Sequence, residues 1–185
     1  VAALAGIASG SYVGTNYRVR LLESYLANIG GPIAPSAGLG LGIALNNIRV
    51  ALLSNVFSLF VFGAVAFLVP AVAFAQVSFV AGALAGRGGS WLALGANSPL
   101  QFLLAYVLPH GLIELPTAVL SAALGIRIGA ALMAPPKGFT VGQNILWALA
   151  QWAKVWVFVL IPLFLVAGLI EGLVTTQIIR ALYGA

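Results

Sequence analysis

Long apolar runs separated by short polar or turn-rich breaks organise this chain. The first run, about residues 1–17, ends at Tyr17-Arg18-Val19-Arg20. A mixed stretch follows, with Glu23, Asn28, Gly30-Gly31-Pro32 and Pro35-Ser36. Residues 18–40 therefore read as an exposed loop, with a short interfacial helix around 20–29. A second apolar span runs from about Gly40 to Val69, and a third follows Pro70 and ends near Gly86, before the turn-rich Arg-Gly-Gly-Ser at 87–90. The fourth run, about 99–134, is too long for one straight crossing. It contains Pro109, Gly111 and Pro116, and each proline removes a backbone donor and clashes one turn back. The pattern predicts a broken or kinked helix there, closed by Ala134-Pro135-Pro136-Lys137-Gly138. The last span covers about 145–180.

The fold class that follows is all-α, a polytopic transmembrane helical bundle of about five spans. The count becomes six if the break at 109–111 separates two short segments. The whole chain, 1–185, reads as a single transmembrane domain. A crossing needs roughly 20 apolar residues, so the first run is expected to be the remainder of a longer helix. The alternating ten-residue signature of a membrane barrel is absent. Orientation gets no clean vote, because Arg18, Arg20, Arg87, Lys137 and Arg180 fall in loops on both sides of a five-span arrangement.

Composition turns this pattern into a membrane assignment. Hydrophobic residues make up 62% of the chain and charged residues 6%, with a mean hydropathy of +1.13. A soluble domain carries roughly 25% charged residues, and this chain could not cover a water-facing surface. The net charge of +5 is spread thinly, without the clustered Lys and Arg that nucleic acid requires. The absence of cysteine excludes disulfides, thiolate ligands and cysteine nucleophiles.

Glycine indicates how the helices pack. Seven pairs stand at spacing four, among them Gly6/Gly10, Gly10/Gly14, Gly125/Gly129 and Gly168/Gly172. Small residues one turn apart let backbones approach closely in lipid. Ordinary packing within the chain is the first expectation. If a dimer face exists, Gly6, Gly10 and Gly14 are its best candidates.

Ionisable groups inside apolar helices are costly and point to function by default. Three qualify. His110, the only histidine, and Glu114 stand at i and i+4, on one helix face. Glu171 lies in the last span with apolar neighbours on both sides, and the three form a polar intramembrane site if their helices are neighbours. Three readings stay open: a hydrogen-bonded lock between helices, a substrate or proton pathway, and a metal site. One imidazole and two carboxylates suit zinc, but no HExxH spacing accompanies them, so the metal reading is the weakest and no cofactor is expected. Asn55, Gln76, Ser78 and Gln101 are assigned to helix packing, and Trp91, Trp147, Trp152 and Trp156 to an aromatic belt at the membrane boundaries. No phosphate-binding loop or GxSxG serine setting is present.

The residues carry a resemblance. Asn46-Asn47 opening the second span, LPHGLIELP at 108–116, the ALGIRIG run after it and Gly168-Leu-Ile-Glu171 together resemble the stage II sporulation protein M family of small polytopic membrane proteins. The match covers roughly residues 40–180. One departure lies in the third span, where an Asn-Gly pair is expected and AQVSFVAG stands at 75–82, so no role passes to Gln76. The resemblance implies a helical bundle in the cytoplasmic membrane. It also implies a scaffold for peptidoglycan-degrading and peptidoglycan-binding partners in spore formers. His110, Glu114 and Glu171 are then the family's signature polar residues. The expectation is a non-enzymatic scaffold or complex subunit whose partners are the bilayer, other membrane or envelope proteins, or further copies of itself. The alternative is a small transporter or channel subunit with a His/Glu/Glu coupling site. An intramembrane metal-dependent hydrolase ranks third.

Overall fold

Backbone groups in lipid must satisfy one another internally, which leaves helices as the economical solution for such apolar runs. A computed structural model describes residues 1–16, 34–86, 98–133 and 135–183, and among these every regular element is helical. Five helical rods result. They are α1 (Ala2–Asn16), α2 (Ala37–Ser58), α3 (Ala64–Gly86), α4 (from Pro99 to Ala130) and α5 (from Val141 to Tyr183). Four of them, α2 to α5, are long and apolar enough to cross a membrane, and the 15-residue α1 is shorter. Most of the stretch 18–40, with its expected interfacial helix, and the turn at 87–90 with Trp91 lie outside the described residues.

The α2–α3 boundary corrects the sequence reading. The turn falls at residues 59–63, and Pro70 sits inside α3. Phe62 and Gly63 both take positive φ, 52° and 93°. The Gly63 N–H donates to the Ser58 carbonyl at 2.9 Å. The Ser58 hydroxyl accepts from the Ala66 N–H at 2.8 Å, which satisfies a donor in the first turn of α3. A turn built from Leu-Phe-Val-Phe-Gly has no polar signal, so the proline looked like the break. Likewise Asn46 and Asn47 lie well inside α2 rather than at its opening, with Asn46 exposed and Asn47 half-buried.

The expected disruption of the fourth span takes the form of altered hydrogen bonding within a continuous rod. Pro109, Gly111 and Pro116 all lie within helical backbone. The irregularity is a π-helical stretch, Leu103–Val107, closed by the Leu108 N–H donating to the Leu103 carbonyl. A second π stretch in α5, Trp156–Leu160, is closed in the same way by Ile161 onto Trp156. Each ends two residues before a proline, Pro109 or Pro162. A proline ring collides with the carbonyl one turn back, and the wider π turn moves that carbonyl aside. A third π stretch, Ile170–Thr175, has no proline behind it.

The chain divides into two compact units. The first holds residues 1–39, 71–111 and 170–185. Here α1 lies on α3: a Cβ on Gly6 would stand 3.0 Å from the Ser78 Cβ, Gly10 is covered by the Phe79 carbonyl, and Gly82 by the Ile7 backbone. Gly6 and Gly10 thus face α3 of the same chain, and the side proposed for a dimer is occupied there. Val80, Ala83, Leu84 and Phe102 form the core, with the Phe102 and Tyr106 rings stacked at 5.6 Å.

The second unit holds residues 40–70 and 112–169. Its core is Ala51, Leu124, Trp156, Leu160 and Phe164. A Cβ on Gly40 would meet the Gly168 carbonyl at 2.8 Å, so α2 and α5 touch through backbone. Gly125 is covered by the Ala66 side chain and Gly129 by the Phe62–Gly63 turn. The buried Asn55 side chain donates to the Ala51 carbonyl at 2.9 Å and the Ser121 hydroxyl at 3.1 Å. Its oxygen accepts the Trp152 indole N–H at 2.8 Å. Trp156 is only 2% exposed and belongs to the core, and the half-buried Trp152 packs against that core and bonds inward to Asn55, so neither stands as a belt residue. Trp147 does lie at the surface, beneath the Arg127 guanidinium at 4.5 Å.

Candidate functional site

His110 is the third residue of the α-helical part of α4, immediately after the π stretch. Glu171 is the second residue of the π stretch 170–175 in α5. Within the first unit these two irregular segments pack against each other, and the pairing follows from that. His110 Nε2 lies 4.0 Å from Glu171 Oε2, with side chains 15% and 30% exposed. The other ring nitrogen, Nδ1, stands 3.4 Å from the hydroxyl of the buried Thr175. Thr175 is one turn beyond Glu171, so one face of α5 meets both nitrogens of a single ring.

A separation of 4.0 Å is longer than a hydrogen bond. It gives electrostatic attraction when the imidazole is protonated. The π geometry also frees backbone acceptors: the Gly172 carbonyl takes the Ser36 N–H at 3.1 Å and the Thr176 hydroxyl at 2.8 Å. Gly172 therefore anchors the N-terminus of α2, whose cap is the Ser36 hydroxyl accepting from Leu39 N–H at 3.0 Å.

Glu114 sits one turn along α4 from His110. Its Oε2 is buried and has no hydrogen-bond partner among the described residues. Such an oxygen is costly in apolar surroundings, which sets Glu114 apart from the satisfied polar groups Asn55, Ser58 and Thr117. Gly111 and Pro116 share this part of α4. Gly14 belongs to α1.

The sequence matches the family described as stage II sporulation protein M over residues 1–176. The chain belongs to that family. The match begins in α1, ahead of the stretch from residue 40 on which the resemblance rested. An uncharacterised protein of Methanocaldococcus jannaschii is 33% identical over 79 residues. That alignment covers 42% of this chain and 36% of the archaeal protein, so the chain matches about a third of its relative's length. No solved structure matches.

In this stage II sporulation protein M chain, two features near the site escaped the sequence reading. Gly-Leu-Ile-Glu occurs twice, at 111–114 and 168–171, and His110, directly before the first copy, faces the glutamate that ends the second. The repetition was a readable signal. Thr175 was not readable, because a threonine in an apolar helix usually bonds its own backbone. Only the meeting of the two π stretches shows it on the imidazole.

Proposed function

We propose that the protein is a non-enzymatic, multi-pass subunit of the cell membrane that organises other membrane or envelope proteins, or further copies of itself. The observation that carries this reading is where the polar side chains inside the helices go. Asn55 bonds both Ser121 and Trp152, Ser58 caps α3, and Asn144 donates to the Ala131 carbonyl at 3.0 Å. Large apolar residues such as Phe57, Phe67, Phe158 and Leu146 remain on the outside, available to lipid or to partner helices. Membership of a family described by a sporulation stage supports a role in cell-envelope remodelling.

A second reading, a small transport or channel subunit coupled through His110, Glu114 and Glu171, is favoured by one observation. The π stretches of α4 and α5 border or contain His110 and Glu171, and irregular membrane helices are where ions and protons are handled. Glu114→Gln and Glu171→Gln separate the readings. If the residues serve assembly, both variants lose partner cross-linking in native membranes, and folded protein falls with it. If they serve transport, folded protein accumulates normally while ion or proton flux in proteoliposomes disappears.

A further inference from the structure

We propose that the exposed face of α2 around Arg49 docks a transmembrane helix of another protein that carries an aspartate or glutamate at mid-depth. The natural occupant rests on the organising role proposed above, while the face itself can be tested without it.

The two sides of α2 differ in kind. Gly40, Ala44, Ala51, Ser54, Asn55 and Ser58 are buried, and at 3.6 residues per turn they share one side of the helix. Gly42, Asn46, Arg49, Leu53 and Val56 lie on the opposite side, and all of them are exposed. Their spacing alternates four and three, the seam by which one helix meets another in a left-handed crossing. Gly42 has nothing within 4 Å of its Cβ position, and a small residue at that end admits a second backbone. Leu53 and Val56 suit lipid, whereas Asn46 and Arg49, one turn apart, do not.

Depth excludes the headgroups as the partner. Arg49 stands about 18 Å along the axis from Ala37 and about 14 Å from Ser58. Either end is more than two turns away, beyond what a snorkelling side chain covers. Beside α2, α5 runs antiparallel, with Gly40 against Gly168 and Asn55 bonded to Trp152. Arg49 is therefore level with residues 155–169, a stretch without an ionisable side chain.

Charge then selects the occupant. Among the described residues, Arg49 makes no hydrogen bond or ion pair. A guanidinium at this depth needs a counter-charge, and its planar fork matches a carboxylate with two parallel hydrogen bonds. The Asn46 amide, one turn away, can donate to a remaining carboxylate lone pair. A second copy docking through the same face would bring two Arg49 side chains together, so symmetry disfavours self-association there.

The test reconstitutes the chain in phosphatidylcholine vesicles with a synthetic Leu-Ala transmembrane helix bearing one central glutamate. A dye on Lys137→Cys, in a chain without native cysteine, reports association by energy transfer to the labelled peptide. We expect the glutamate peptide to bind about tenfold more tightly than its central-leucine counterpart, the size of a good interhelical polar contact in lipid. Arg49→Leu should abolish the preference and Arg49→Lys should keep part of it. Arg49→Glu should transfer it to a peptide with a central arginine, which keeps the test decisive if Arg49→Leu does not fold. Equal binding of the glutamate and leucine peptides by the wild-type chain would overturn the proposal. So would a preference that survives Arg49→Leu, or chain–chain association in peptide-free vesicles that Arg49→Leu removes. Failure in vesicles would leave the organising role standing, and failure of partner cross-linking in native membranes would leave the vesicle result intact.

Discussion

The Trp152 indole N–H donates to the Asn55 side-chain oxygen at 2.8 Å, and Trp156 approaches the same oxygen at 3.5 Å. Asn55 is 1% exposed, and its amide also serves Ser121. One side chain thus holds α2, α4 and α5 of the second unit together. Asn55→Leu removes these bonds at once and strands the Trp152 donor. The expected loss is about 1–2 kcal/mol, near the upper end for interhelical hydrogen bonds in membranes. Trp152→Phe removes one donor and leaves Asn55 its other partners, so its cost should be smaller. Unfolding of the detergent-purified protein by SDS titration measures both. Equal losses would mean that Asn55 acts through Trp152 alone.

The contact of Gly40 with Gly168 predicts opposite signs for two glycines on α2 and α5. A Cβ on Gly168 would stand 2.6 Å from the Gly40 carbonyl and 2.7 Å from the Ala44 Cβ, whereas Gly42 has nothing within 4 Å. Gly168→Ala should destabilise by about 1–3 kcal/mol through overpacking. Gly42→Ala should stabilise by about 0.5–1 kcal/mol, because alanine loses less backbone freedom in a helix. The same titration reads both, and a neutral Gly168→Ala would show that the backbones do not touch there.

The start of α5 carries a prediction outside the apolar core. The Thr140 hydroxyl accepts from the Gln143 N–H at 3.2 Å, and the Gln143 side-chain oxygen accepts from the Thr140 N–H at 2.9 Å. This reciprocal capping box starts the helix at Val141. Thr140→Ala should cost about 1 kcal/mol and Thr140→Ser very little. Thermal melts of the two variants compared with wild type decide it.

The sequence made the membrane class readable because long apolar runs have one solution in lipid, and it made His110, Glu114 and Glu171 conspicuous because charge there is rare. Boundaries were less legible where the deciding group was small or local. The Thr140–Gln143 box had a recognisable pattern, yet it stood ahead of the apolar run that marked the span. The turn at Phe62-Gly63 is written in apolar residues, while Pro70, the louder signal, fits inside α3. Trp152 and Trp156 look like belt residues along the chain, and only the position of Asn55 shows why they turn inward. The π stretches follow from register around Pro109 and Pro162, which no apolar periodicity records.

The glycine stripe of α1 gives the last prediction. Gly6 and Gly10 are covered by α3 of the same chain, with the Gly6 Cβ position 3.0 Å from the Ser78 Cβ. Disulfides need Cβ atoms about 3.5–4.5 Å apart, and a Cβ on Gly6 would also press on the Ala75 backbone carbonyl, so α1 has to step back from α3 to bring a cysteine pair into range. The chain has no native cysteine, and a Gly6→Cys, Ser78→Cys pair therefore reports cleanly. Mild oxidation in membranes should give an intramolecular bond, seen as a faster-migrating monomer on non-reducing gels and reversed by reductant. Gly6→Cys alone should stay monomeric on the same gels, because α3 covers that side of α1. Strong covalent dimers of the single variant, with no intramolecular product from the pair, would show that the stripe faces a second copy and that α1 leaves α3 in the membrane.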